Sequence, residues 1–321
     1  MKKLLKILLF CFPVFVFSQD IKKVDGVTDT NIKKVSGVSD SNIKKVSGVT
    51  LGTFTGILDD YPGAGAAYSV RKLDKDYTGY CMRIKRLSDN TTLDVGFTTS
   101  GDLDEGAITT FCSGSVDATV VIWYDQSGNG FNLVPDSDNN TLLICDNGAV
   151  LTKNSRPTIS TLGDEFKCTL STEDLFGINV SYMEGVFTNE TTSGSWLVFT
   201  DDVLLSALGY VDFGGGVAPV GMKELLTNYV SGTSTPTANT QYIFEYGQIS
   251  SSNSILYVDG VNAETTDASA AQNPTGSGST TFRLGGLSNF LPCESVQEYI
   301  CWPSDLSSSR ASIYSNVAAY F

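Results

Sequence analysis

The stretch Ala118–Val134, ATVVIWYDQSGNGFNLV, constrains the fold more than any other part of the chain. Thr119 to Tyr124 are β-branched, apolar or aromatic, which suits a buried strand. Asp125-Gln126-Ser127-Gly128-Asn129-Gly130 then stops it, because two glycines and an asparagine supply the positive-φ positions of a tight turn. Phe131 to Val134 resume an extended pattern. Such a strand has to find partners, so the chain is expected to build sheets. The remaining sequence agrees: Thr, Ser, Gly, Asn and Asp abound, and no long 3.6-residue periodicity occurs before the C-terminus.

Met1–Ser18, MKKLLKILLFCFPVFVFS, has lysines at its start, an apolar run from Ile7 to Phe17 and a small residue before Gln19. It reads as a secretory signal peptide cleaved after Ser18, too short for a membrane anchor. Cys11 follows Phe10, where a lipid-anchoring signal needs a small residue. The protein is therefore expected to be secreted or held at the cell surface, without membrane insertion. The mature chain keeps 18 basic against 35 acidic residues, a formal charge of −17. That charge disfavours nucleic acid, since little is left to neutralise phosphates.

The chain has no histidine. Ser-His-Asp and Cys-His catalysis and His-ligated metals are thereby removed, and hydrolytic chemistry has to run on carboxylates. Cys81, Cys112, Cys145, Cys168, Cys293 and Cys301 are disulfide candidates in an exported protein, although six cysteines permit 15 pairings. Cys293–Cys301 is the easiest pairing by sequence proximity. No Cys-x-x-Cys occurs, and no metal site is expected beyond a Ca²⁺ considered below.

Ile21, Ile32 and Ile43 open three copies of an 11-residue unit: IKKVDGVTDTN, IKKVSGVSDSN and IKKVSGVT. Asp25-Gly26 and two Ser-Gly pairs are turn signals between short Ile/Val strands. The Gly and paired valines of each unit argue against a helical repeat. Residues 19–50 thus read as a β stalk or a linker, with self-assembly or docking through residues 21–49 as a possible use.

Residues 51–321 read as one β-rich domain. Leu58 to Leu73 is expected to be a turn followed by a short helix, with Pro62 near its start. Cys81–Lys85 and Thr92–Phe97 are strand-like. Asp104 to Cys112 reads as a second short helix, N-capped by Asp102 or Asp104. Gly177–Phe187, Thr240–Tyr246 and Ser254–Val261 alternate as strands, the last ending in the hairpin signal Asp259-Gly260. Asp305 to Tyr320 places Leu306, Ile313, Tyr314 and Val317 on one side of a C-terminal helix.

AAYSVRKL, YTGYCMRIKRLSDNTTLDVGF, GDLDEGAITTFC and VVIWYDQSGNGFNLV follow one another in the order of similar segments in glycoside hydrolase family 54. The chain resembles the catalytic domain of that family, the α-L-arabinofuranosidase B type. The resemblance spans Ala66 to Val134 and returns near Phe282 to Phe321. It implies an all-β fold, a concanavalin A-like jelly-roll β-sandwich with a few short helices. It also implies a retaining glycosidase, which works with two carboxyls about 5–5.5 Å apart.

The catalytic positions depart from that pattern. The family's acid/base Asp follows a Gly-Gly pair, and Gly285-Gly286 is followed by Leu287. The strand of the family's nucleophilic Glu aligns with Val203–Phe213, which holds Asp212 and no Glu. The family's adjacent cysteine pair is missing. Asp212, Glu184, Glu245 and Glu298 remain as carboxylates for an unrecognised pair, with Asp201, Asp202 and Glu294 as further acids. If the chemistry is lost, glycan binding remains: Trp123, Trp196 and Trp302 offer stacking faces, and Asp125 and Asn129 offer hydrogen bonds. The DQSGNG loop has the oxygen donors for Ca²⁺, but also the composition of a plain turn. Asp136, Asp138, Asn139 and Asn140 read as an acidic loop. The leading expectation is thus a secreted, non-catalytic glycan-binding or adhesion protein. An arabinofuranosidase-like hydrolase acting on plant-type polysaccharide and a structural subunit of an extracellular appendage are the alternatives.

Overall fold

A computed structural model of the chain describes residues 54–136, 141–162, 164–169, 180–188, 237–250, 253, 255–262, 281–285 and 293–321 in full, and elsewhere the backbone of further strands. Met1–Ser18, the segment expected to be a signal peptide, lies outside the described residues. Residues 1–54 and 55–321 form two compact units. In the first unit each repeat makes a two-strand antiparallel hairpin: Lys23–Val24 with Val27–Thr28, Lys34–Val35 with Val38–Ser39, and Lys45–Val46 with Val49–Thr50. Two residues separate the strands of each hairpin, the loop length that the Gly-containing pairs favour.

The second unit opens with helix α1 (Ile57–Asp60) and β1 (Ala66–Ser69). It continues through β2 (Met82–Arg86), β3 (Thr92–Val95), helix α2 (Glu105–Phe111) and β4 (Ala118–Trp123). Then come β5 (Val134–Pro135), β6 (Leu143–Asp146), β7 (Ile159–Ser160), β8 (Phe166–Ser171) and β9 (Ser181–Thr188). β10 (Gln241–Ser250), β11 (Asn253–Val258), β12 (Ser279–Leu284), β13 (Ser295–Trp302) and helix α3 (Arg310–Tyr320) complete the labelled elements. A further antiparallel sheet is made by the backbone of Trp196–Thr200, Leu208–Asp212, Gly221–Glu224, Asn228–Gly232 and Glu264–Thr266.

All labelled strands pair antiparallel. β13 is the hub of the largest sheet, bonded to β1, β7 and β9, with β10 and β11 following on. β6-β4-β2-β3 form a second sheet and β5-β8-β12 a third. Phe166 and Phe282 from the third sheet meet Trp123 from the second and Tyr68 and Tyr299 from the first, with ring centroids 5.4–6.3 Å apart. This aromatic stack is the centre of the β-sandwich core. The opposite face of the largest sheet is covered as well. Tyr182, Ile243, Ile300 and Trp302 pack there with Ile57 of α1 and Ile313 and Val317 of α3. Every residue of β9 and β13 is therefore buried, and the expected one-sided alternation disappears from the central strands.

Several expectations meet the structure directly. Asp104 N-caps α2, accepting the Ala107 N–H at 3.0 Å. Asp259 and Gly260 both take positive φ, 50° and 74°, as a two-residue hairpin turn requires. Leu58–Leu73 is a correction: the helix precedes Pro62, and Ala66–Ser69 is strand β1. Its alanines are fully buried, Ala66 in the sandwich core and Ala67 under the helices, so packing on both faces overrides alanine's helical preference. The Cys293–Cys301 pairing is a second correction. An extended β13 holds the two at opposite ends, on the order of 20–25 Å apart at ~3.3 Å per residue. All six thiols are buried and free.

Candidate functional site

The DQSGNG turn after β4 is a clasp. The Asp125 carboxylate accepts the N–H of Ala67 at 3.0 Å, Ser127 at 2.9 Å and Phe131 at 3.1 Å, and the Ser127 hydroxyl at 2.7 Å. Gln126 accepts the Leu73 N–H and donates to the carbonyls of Ser69 and Arg71. Asn129 donates to the carbonyls of Ala64 and Gly65. The loop thus ties residues 64–73 to the second sheet, and both Asp125 oxygens are engaged by protein donors. Trp123 and Trp302 are fully buried, and the Trp302 indole donates to the Tyr61 carbonyl. The side chains of Trp196 and Asp212, and the whole of Asp201, Asp202 and Leu287, lie outside the described residues.

Three of the sequence-stated carboxylates do come together. Glu184 of β9 stands opposite Glu245 of β10, and Glu298 of β13 lies on the same face. α3 covers that face, and the three side chains are at most 1% exposed. Glu298 accepts from the Ser69 hydroxyl at 2.5 Å and takes a bidentate pair from Arg71, both bonds 2.7 Å. Glu245 accepts from Tyr182 at 2.5 Å and Arg310 at 2.9 Å. Glu184 receives no donor on either oxygen. Burial and the facing Glu298 carboxylate push it well above the ordinary carboxyl range, so it is held as the neutral acid. The cluster is sealed from any polysaccharide.

A second carboxyl pair, with Asp136 partly exposed and Glu165 buried, lies on the outer face of the β5-β8-β12 sheet. Glu165, Lys167 and Thr169 share that face by the two-residue period of β8, and Thr281 and Arg283 of β12 stand opposite Thr169 and Lys167. Asp136, just after β5, receives Lys167 at 2.6 Å and Arg283 at 2.6 Å, and the same Arg283 nitrogen bonds Glu165 at 2.5 Å. One guanidinium nitrogen serves both acids, so the two carboxyls are close neighbours. Their ionisation is split. Burial pushes Glu165 up to about 7, against the pull of Arg283 and with the help of the Asp136 charge. For Asp136 burial acts in the same sense, but Lys167 and Arg283 outweigh it and hold the group below its usual range. One Glu165 oxygen has no hydrogen-bond partner.

Beside this pair a cavity of about 340 Å³ opens, lined by Phe131, Asn132, Val134, Lys167, Thr169 and Thr281. Lys167 belongs to both. The volume falls in the range of small-molecule sites, about 300–1,000 Å³. One aromatic ring, an amide and two hydroxyls suit a neutral polyol. The clasp sets this wall: Phe131 and Asn132 follow the turn directly, the Phe131 carbonyl accepts from Tyr68 at 2.5 Å, and Asn132 accepts the Asp125 N–H at 3.0 Å. Sequence reading missed Asp136 as a site residue and did not single out Glu165 or Arg283. The usable signal was the alternation Glu165-Phe166-Lys167-Cys168-Thr169 against Thr281-Phe282-Arg283-Leu284, which puts every charge on one face.

The architecture is that of an all-β jelly-roll sandwich. A sequence model of the α-L-arabinofuranosidase B catalytic domain matches residues 59–215. An arabinofuranosidase crystallised with arabinofuranosyl-α-1,2-xylobiose superimposes with a TM-score of 0.58 at 20% identity, over 82% of this chain and 64% of that one. A glycoside hydrolase family 54 α-L-arabinofuranosidase soaked with a cyclic sulfate inhibitor gives 0.58 at 18% identity over the same shares. The chain thus spans 64% of the length of those enzymes and resembles their catalytic domain in sequence and fold. A search of curated proteins finds no match. These matches overturn the expectation of a non-catalytic binder, because the matched unit is the catalytic domain of a hydrolase family. The geometry agrees: Trp123 and Trp302 are core residues, and Asp125 and Asn129 spend their polar atoms inside the clasp.

Proposed function

We propose that the protein is an exported α-L-arabinofuranosidase-like glycoside hydrolase that releases arabinose from plant-type polysaccharide. The match to a catalytic domain across residues 59–215 carries this reading. We assign the sugar seat to the cavity beside Phe131, Asn132, Thr169 and Thr281, and the carboxyl pair to Asp136 and Glu165. Two carboxyls with ionisation driven apart are what glycoside hydrolysis uses: one stays charged to meet the anomeric centre, the other keeps a proton for the leaving oxygen. Asp136, charged and a quarter exposed, fits the first role. Glu165, raised to about 7, fits the second. The departures from the family pattern at Leu287 and in Val203–Phe213 leave room for a different pair.

The test is incubation of the purified protein with arabinan and arabinoxylan, with products separated by chromatography. Free arabinose is expected, and Asp136→Asn and Glu165→Gln are each expected to reduce its release at least 100-fold in folded protein. Absence of arabinose from the folded wild type overturns the hydrolase reading. Release that survives both substitutions overturns only the assignment of the pair.

A further inference from the structure

We infer that Cys112 and Cys145 form a disulfide in the exported protein, and that this bond braces the segment that builds the cavity wall. The observation is the surroundings of the six thiols. Cys81 points at the Ser69 carbonyl, 3.1 Å away. Cys168 faces the Tyr68 hydroxyl at 3.8 Å, and Cys293 faces Thr161 at 3.3 Å and the Gly285 carbonyl at 3.5 Å. Cys301 is hydrogen-bonded with Tyr299. Each of these four has oxygen beside its sulfur. Cys145, whose sulfur also has a carbonyl oxygen beside it, has the Cys112 thiol within hydrogen-bonding reach as well.

The backbone brings these two together independently of the sulfurs. Cys112 caps the C-terminus of α2, its N–H bonded to the Ile108 carbonyl. Cys145 lies in β6, opposite Ala118 of β4 on one side and Val150 on the other. The turn after β6, Asn147-Gly148 with φ of 50° and 82°, runs under the end of α2. A Cβ on Gly148 would meet the Cys112 carbonyl at 3.2 Å, and the Gly148 N–H bonds the Val116 carbonyl. The Cys145 sulfur also lies 3.8 Å from that carbonyl. Both thiols are fully buried. Burial and the neighbouring Cys112 thiol push Cys145 up to about 12, so in the folded chain it is a poor nucleophile.

Oxidation therefore belongs to folding, by exchange with a small-molecule or protein disulfide of the exporting compartment. One cysteine thiolate attacks that disulfide and expels one thiol. The second attacks the mixed disulfide and expels the other. The two cysteines lose two protons and two electrons, and the external disulfide becomes two thiols. The segment closed in this way, 112–145, contains β4, the DQSGNG clasp, Phe131, Asn132 and Asp136. A cross-link at its base restrains the unfolded chain and anchors both ends of the cavity wall to α2 and β6.

The test is peptide mapping of protein recovered from an oxidising compartment, alkylated in denaturant without reduction. A peptide joining Cys112 to Cys145 is expected, with Cys81, Cys168, Cys293 and Cys301 alkylated. Thermal unfolding supplies the second readout. The Cys112→Ala/Cys145→Ala variant is expected to melt about 5–10 °C below the oxidised wild type. Reduction of the wild type should close that gap and leave the variant's Tm in place. Six alkylated thiols, or a linked peptide with any other pairing, overturn the inference. A wild-type Tm unmoved by reduction overturns the bracing role even if the bond is found.

Discussion

Replacing Glu184 by Gln is expected to stabilise the protein, and to do so only above the pH at which an unfolded glutamate ionises. In the folded chain Glu184 is fully buried, receives no hydrogen bond and faces the Glu298 carboxylate, which already accepts Ser69 and Arg71. Its proton turns that contact into a hydrogen bond, and its folded pKa is raised. A raised folded pKa contributes stability that is complete below the unfolded value, ~4.3 for Glu, and is lost as pH rises towards the folded value. Over that window the folded state keeps a proton that the unfolded state has released. The wild type therefore loses about 1.4 kcal/mol per pH unit on account of this group. Gln has the same shape, donates to Glu298 through its amide and does not titrate. The variant should thus match the wild type within about 1 kcal/mol at pH 4.5 and exceed it by a further ~2.5 kcal/mol at pH 6.5, an upper estimate because residual charge relaxation reduces it. Urea unfolding at the two pH values, with m-values compared, measures the difference. A gap that stays constant with pH, or a variant less stable at pH 6.5, would show that Glu184 is ionised in the folded protein and refute the reasoning.

Two further outcomes follow from the clasp and the carboxyl pair. Asp125→Ala removes the acceptor of four donors, including the N–H of Ala67 and of Phe131, and should cost about 3 kcal/mol or more. Urea midpoints measure this, and arabinose release by the folded fraction should fall because Phe131 and Asn132 lose their anchor. Arabinose release should also decline as pH rises through about 7, where Glu165 gives up its proton, and the decline should vanish from the residual activity of Glu165→Gln. A pH–rate profile flat between pH 5 and 9 would contradict that role.

Where one side of an element packs and the other meets water, the sequence showed it. Ile313 and Val317, four residues apart, are the buried stripe of α3, and the Asp104 cap and the Asp259-Gly260 turn depend on local chemistry alone. Ala66–Ser69 was hidden for the opposite reason. Its four residues are buried on both faces, so no alternation marks a strand, and its small side chains satisfy a helix equally well. The register of β13 was hidden too. Gln297 is the extra residue of a bulge between Val296 and Glu298, and its amide is spent on the carbonyls of Lys153, Arg156 and Pro157.

The carboxylates divide by the same physics. Glu184, Glu245 and Glu298, offered by the sequence as carboxylates for an unrecognised pair, lie inside buried strands. An acid in such a strand is costly unless the fold neutralises or pairs it, and each of the three is neutralised or paired. That satisfaction is what removes them from chemistry, since a carboxylate bonded to Arg71 or Arg310 beneath a helix has no free face to offer a sugar. Asp136 reads as part of an acidic loop because Asp138, Asn139 and Asn140 follow it and the run resembles a solvated segment. Its character comes from residues distant in sequence: Lys167 on the neighbouring strand and Arg283 on the one beyond. Glu165 owes its raised pKa to a burial that exists only once β8 packs between β5 and β12. An acid–base difference generated by strand pairing is a property of the sheet, and it becomes readable only when the partners across that sheet are known.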